Sequence, residues 1–246
     1  MESIKTHGLI IKGSDYGENN RIVKIFTSDM GIVSAGIHGI RSKKKGLGAL
    51  GRIFIWGDVM LKENGGRYTV EEFVVKEGFY PLCEDIVKLS AAAYFAELAA
   101  MFTGEYNPDE QVLKLLLNTL YTMCYNDISL KTVKAVYEMR LAMEVGYRPD
   151  TDECTACKST HNLAFFDVGH SGILCSSCKR SESLKVSEGA ILLLRHILTA
   201  SDKQIFSFRI NSVIEEEISK LAEAYTLSLL DYKPKTLAYY NKMAES

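Results

Sequence analysis

Arg21-Ile22-Val23-Lys24-Ile25-Phe26-Thr27 places apolar side chains on both sides of an extended segment, Val23 and Ile25 on one, Ile22 and Phe26 on the other. A strand with one solvated face alternates apolar with polar residues. Apolar character on both faces fits a sheet that curls on itself. Working outward, β-branched or aromatic runs recur at 6–12, 32–37, 53–62 and 67–76, separated by glycines. Asn64-Gly65-Gly66, between the last two runs, is a hairpin signal. Five strands in a small closed or nearly closed barrel are therefore expected over residues 1–80.

Beyond Pro81 the texture changes. Of 18 glycines 13 precede it, whereas that same stretch holds only two alanines, Ala35 and Ala49. Ile86, Leu89, Ala93, Ala96 and Ala100 follow a helical rhythm. A second helix is announced by Asn107 as cap, Pro108 at the first position and Glu110 three residues after the cap. A third is expected over 130–145, stopped by Gly146 ahead of Pro149, and others over about 187–200 and 211–230. Lone Cys83 and Cys124 are read as buried hydrophobes.

With 246 residues, 47% of them hydrophobic and 24% charged, the composition is that of a globular protein and excludes disordered and collagen-like classes. No uninterrupted apolar run reaches the roughly 18 to 20 residues of a membrane helix, and the opening MESIKTHGLI lacks a basic, then apolar, secretory signal. A cytoplasmic, nucleoid-associated location without a membrane partner is the expectation. Net charge is −2, yet residues 1–80 hold 12 Lys/Arg against 9 Asp/Glu, and residues 81–246 hold 17 against 22. Between Met30 and Gly57 there is no acidic residue, while Arg41, Lys43, Lys44, Lys45 and Arg52 supply five positive charges, a local attractor for polyanions. Lysines among glycines suit sequence-independent phosphate contact, and OB-type barrels hold single strands with cations and stacking aromatics. Tyr16, Phe26, Phe54, Trp56 and Tyr68 are the candidate rings.

Cys154, Cys157, Cys175 and Cys178 follow C-x2-C-x17-C-x2-C. Two residues between thiolates let both sulfurs turn to one point, and two such knuckles complete a tetrahedron about Zn²⁺. Four Cys ligands leave no open position for water, so one structural ion is expected, with no catalytic role. His161 and His170 lie inside the same module and are alternative ligands. No phosphate loop, HExxH or deaminase signature occurs, so no catalytic residues are assigned and no enzyme is expected.

These features, taken in order with Gly8-Leu9-Ile10-Ile11-Lys12, Asp15-Tyr16-Gly17-Glu18-Asn19, Arg41-Ser42-Lys43, Gly146-Tyr147-Arg148-Pro149 and Ser171-Gly172-Ile173-Leu174-Cys175, resemble the bacterial recombination mediator family RecO. The family's usual paired glycine before the third cysteine stands here as Ser171-Gly172. The resemblance implies an α+β multidomain chain: an N-terminal five-stranded OB-type β-barrel over 1–80, then a mostly α-helical domain over 81–246 with a four-cysteine zinc-finger module inserted at about 150–182. It further implies a DNA repair and recombination mediator that binds single- and double-stranded DNA, anneals complementary strands and, with RecR, assists RecA loading on strands coated by single-strand-binding protein. DNA contacts carried over from the family fall on Arg41, Lys43, Lys44, Lys45 and Arg52, and secondarily on Lys12, Arg21 and Lys24. The tail of single-strand-binding protein, acidic and ending in apolar residues, would be received by the helical domain, where Lys131, Lys134 and Arg140 are conceivable contacts. The basic, aromatic ending from Asp231 to Lys242 either touches DNA or docks for packing. A zinc-ribbon transcription factor reading duplex DNA is the competing assignment, and a metal-dependent enzyme on nucleic acid a third.

Overall fold

The computed structural model describes residues 2–39 and 50–245. By internal packing the chain forms two units, Met1–Leu89 with Ala96–Lys114, and Ser90–Phe95 with Leu115–Ser246.

The first unit is built on a closed barrel with strand order β1-β2-β3-β5-β4, from β1 (Glu2–Tyr16), β2 (Asn20–Thr27), β3 (Gly31–His38), β4 (Trp56–Asn64) and β5 (Arg67–Glu77). Four antiparallel ladders and one short parallel contact, Ala35 with Tyr68 and Gly36 with Thr69, complete the circle, the connectivity of an OB-type barrel. β1 serves two neighbours: Glu2 to Leu9 pair with β4, Gly8 to Tyr16 with β2, and the register shifts between Ile10 and Lys12. The interior is filled by Ile10, Val23, Ile25, Val33, Ile37 and Leu61, among others, each fully buried. In β2 the two apolar faces part company: Val23, Ile25 and Phe26 are buried, and Ile22 is half exposed. Gly65 and Gly66, both with positive φ, make the two-residue hairpin between β4 and β5. The run at 53–62 begins as a strand only at Trp56, because buried Phe54 adopts φ 58° and donates its N–H to Ile10 O at 2.7 Å.

Helix α1 (Ile86–Thr103) starts at Asp85, whose side chain accepts from the Val87 and Lys88 amides. It is long and apolar enough to cross a membrane by length and composition alone. Its middle is a protein core: Tyr94 and Phe95 are fully buried. Helix α2 (Glu110–Tyr125) is capped by Asp109, which accepts from Val112 N at 3.0 Å, while Asn107 instead donates to the Thr103 carbonyl. The expected cap was two residues early, because Asp109 competes for the same role.

In the second unit α3 (Leu130–Glu144) is the axis, with every residue from Thr132 to Ala142 buried. Ser129 caps its start, and Gly146, at φ 95°, lets the chain leave its end. The Tyr137 ring meets Phe95 at 4.6 Å and its hydroxyl donates to the Phe95 carbonyl. α4 (Glu188–Thr199) and α5 (Ser212–Ser228) flank it, capped by Ser187 and Asn211. A last helix, α6 (Lys235–Ala244), closes the chain. Between α3 and α4 lies a small sheet of β6 (Leu163–Asp167), β7 (Gly172–Cys175) and β8 (Leu184–Lys185), in the order β7-β6-β8. Fully buried Phe166 seats this module edge-on against Tyr225 of α5 at 5.4 Å.

Two corrections concern charge and thiol placement. Lys134 and Arg140 are not helix-face charges: Lys134 is 3% and Arg140 9% exposed. Lys134 is held by Glu138 at 2.8 Å and Glu223 at 2.7 Å, and Tyr94 donates to Glu138 at 2.6 Å. Arg140 donates to the Ile197 and Ala200 carbonyls, satisfying the end of α4. Both cations are tied inside the fold, and Lys131 is ion-paired to Glu216. Cys83 is exposed rather than buried.

Candidate metal centre and nucleic-acid interface

The four cysteine sulfurs at 154, 157, 175 and 178 lie within 4.8 Å of one another. They come from two turns: Cys154 N donates to Ser159 O and Lys158 N returns to Cys154 O, while Cys178 N donates to Cys175 O. A donation from Thr155 N to Ile173 O holds the first turn against β7. Gly172 permits this approach, since a Cβ there would stand 2.5 Å from Thr155 Cγ2 and 2.8 Å from the Asp150 carbonyl. Ser171, by contrast, takes φ 53° in the turn before it. The second position of Ser171-Gly172 is thus the one that must be glycine.

The sulfurs fit a metal ion on geometry. A tetrahedron with metal–sulfur distances near ~2.3 Å has edges of roughly 3.8 Å, and Cys157 Sγ lies 3.8 Å from Cys175 Sγ. A disulfide would require about 2.05 Å, and all four cysteines are free. Their protonation is split. Burial works to raise the Cys154 thiol, but the backbone amides of Cys175, Cys157 and Ala156 outweigh it and bring it down to about 6. Hydrogen bonds from Cys178 to the Cys157 and Cys175 sulfurs, with burial, push its thiol up to about 12. His161 is exposed, and His170 faces Asp167 at 3.1 Å and Arg180. Neither belongs to the sulfur cluster among the described residues.

On the barrel, Arg41, Lys43, Lys44 and Lys45 lie outside the described residues. On either side of them, Ile37 and Leu50 both lie in the barrel core. Arg52 is exposed, its guanidinium carbon 4.2 Å from the centre of the Tyr80 ring, which is itself half exposed. Lys12 is exposed on β1 and makes no ion pair among the described residues. Arg21 and Lys24 are neutralised where they stand, by Asp15 and Glu105, each at 2.5 Å.

Of the candidate rings, Phe26 and Phe54 are core. Tyr16 is 39% exposed and meets His38 edge-on at 6.4 Å, and His38 Nδ1 lies 3.2 Å from Asn20 Oδ1. A shallow cleft of about 390 Å³ opens beside His38, bounded by Lys62, Asn64, Thr69, Val70 and Glu71. Tyr16 and Asn20 flank the β1–β2 turn and Asn64 the β4–β5 turn, the two loops with which OB barrels hold oligonucleotides. His38 and Asn20 were not singled out in the sequence; only the position of His38 at the mouth of the basic run hinted at them.

Two family descriptions divide the chain between them: Recombination protein O N terminal matches residues 1–79, and Recombination protein O C terminal matches residues 83–238. The chain belongs to the RecO family. It is 32% identical over 234 residues to the DNA repair protein RecO of Acetivibrio thermocellus, covering 94% of this chain and 93% of that one. With its Alkaliphilus metalliredigens counterpart it shares 30% identity over 231 residues, 93% and 94% of the two chains. The Clostridium novyi protein is 25% identical over 247 residues, 100% of this chain and 96% of the relative. Membership in the RecO family makes this a DNA repair protein, with the five-stranded barrel preceding helices and a cysteine cluster able to hold a metal ion.

Proposed function

We propose that this RecO-family chain is a non-enzymatic mediator that binds single- and double-stranded DNA, anneals complementary strands and, with RecR, assists RecA loading on DNA coated by single-strand-binding protein. One observation carries the reading: a run of 28 residues without an acid, from Met30 to Gly57, holds the cations at 41, 43, 44, 45 and 52, and Ile37 and Leu50, on either side of 41–45, are buried in the core of an OB-type barrel. Two strands repel through their phosphates, and a protein that neutralises phosphate while leaving base edges free lowers the cost of bringing complements together. No bond is made or broken in that process. Arg41, Lys43, Lys44, Lys45 and Arg52 are the principal phosphate contacts; Lys12 is the best of the strand cations, because Arg21 and Lys24 must first give up Asp15 and Glu105.

The reading takes residues 1–80 as the DNA-binding domain and 81–246 as the helical domain, with its insertion at about 150–182. Cys154, Cys157, Cys175 and Cys178 hold one Zn²⁺, which ties the two turns of the module together and takes no part in chemistry. The protein acts in the cytoplasm, at the nucleoid. The tail of single-strand-binding protein is received by the helical domain at a surface other than Lys134 and Arg140.

The test is annealing of complementary oligonucleotides precoated with single-strand-binding protein, by the wild type and by K43A/K44A/K45A. Acceleration by the wild type alone is expected. Equal acceleration by the variant would remove the basic run from the mechanism, and binding that depends on duplex sequence would favour a transcription factor.

A further inference from the structure

Residues 81–246 are acidic as a whole, yet residues 232–244 contain Lys233, Lys235 and Lys242 and no Asp or Glu. The structure gives this segment a fixed orientation. Pro234, buried, sets the entry of α6. Leu237 and Tyr240, each 6% exposed, dock the helix, and the Tyr240 ring lies parallel to that of Tyr94 at 6.4 Å. With that face committed, Lys235, Tyr239 and Lys242, at i, i+4 and i+7, share an exposed side. Tyr239 is 49% exposed, and Tyr232, preceding the helix, is 66% exposed. Lys233 and Lys235 make no ion pair among the described residues.

We propose that this face of α6, with Tyr232 and Lys233 leading into it, is a second binding surface for single-stranded DNA, Tyr239 stacking on a base and Lys233, Lys235 and Lys242 meeting phosphates. The inference rests on the reading that the chain binds single-stranded DNA and extends it to a surface in the helical unit. Lysines alone would suit any polyanion. The two exposed tyrosines select one whose neutral, planar groups are free to stack, which an unpaired strand offers and a closed duplex or an acidic peptide does not. Lys235 and Lys242 are separated by about 10 Å along the helix axis, with Tyr239 between them, so a ring is bracketed by charge on both sides.

The experiment is fluorescence anisotropy of a labelled oligothymidylate with the full-length protein and its variants, urea midpoints serving as the folding control. Tyr239→Ala is expected to weaken binding on the order of 5- to 100-fold, the range for loss of one stacked base, with little change for a duplex. Tyr239→Phe should keep wild-type affinity, because the ring carries the contact. K233A/K235A should flatten the dependence of log K on log salt by about 1.4, at roughly 0.7 per single-strand phosphate contact. Unchanged affinity in Tyr239→Ala and an unchanged salt slope in K233A/K235A would overturn the proposal. So would polyglutamate displacing the wild type's labelled strand as well as unlabelled oligothymidylate does. K43A/K44A/K45A separates this surface from the barrel: weakening there but not at α6 rejects the second surface and keeps the first, and the reverse pattern does the opposite.

Discussion

The barrel and the cysteine module are both small β structures, but they are held by different physics. The barrel closes over a dozen buried side chains, from Ile10 to Phe73, and its backbone groups are satisfied around the ring. The module has three short strands; around its sulfurs Cys154, Leu174 and Cys175 are buried, with Leu163, Phe165 and Cys178 partly buried beside them, and Phe166 and Ile173 are fully buried as well. At about 25 cal/mol per Å² of apolar surface, so small a core contributes less than the barrel's dozen side chains. Loss of surface cations is therefore expected to cost the barrel little, whereas the module is expected to depend on an ion held by its four sulfurs.

Four perturbations probe that contrast. The largest effect is expected from Cys175→Ser or from chelation, because metal binding contributes on the order of 10 kcal/mol to folding a structural zinc site. Hydrogen exchange should lose protection over residues 150–186 and retain it over β1–β5; loss in both would show that the two are not independent. Next is Ile25→Ala in the barrel core, where a fully buried side chain is removed. A loss of roughly 2–5 kcal/mol in the barrel's denaturation is expected, with protection of residues 150–186 from hydrogen exchange unchanged. Third, Gly172→Ala forces a methyl against Thr155 and the Asp150 carbonyl. It should destabilise the module by roughly 1–3 kcal/mol, read as faster release of added metal ion to a competing chelator. Smallest is K43A/K44A/K45A, expected to shift the urea midpoint by no more than about 0.5 kcal/mol while flattening the salt dependence of single-strand binding by about two units.

What could be read from the sequence follows the same division. The barrel was legible because inward and outward positions alternate at Val23, Ile25, Val33 and Ile37, and a turn with two positive-φ residues needs Gly65-Gly66. The length of β1 was not: its ends, Glu2–Lys5 and Gly13–Tyr16, are mostly polar, and only pairing to β4 and β2 makes them strand. The cysteine quartet was fully legible from spacing. The three strands beside it were not, since runs of two to five residues carry no period to detect. Burial of Lys134 was hidden because one of its partners, Glu223, sits on a helix 89 positions away. Likewise nothing near Lys24 in sequence announces Glu105. Of the residues assigned to DNA, Arg52 and Lys12 stand exposed and Arg21 and Lys24 are paired; the run at 41–45 falls outside the described residues.

The double duty of β1 has a consequence for biosynthesis. Its second half meets β2 soon after leaving the ribosome, but its first half must wait for Trp56–Asn64 to be translated before that edge finds a partner. Until that strand has left the ribosome, Ile4 and Leu9 travel on an unfinished hairpin with one side open, and stray association is most favoured in that interval.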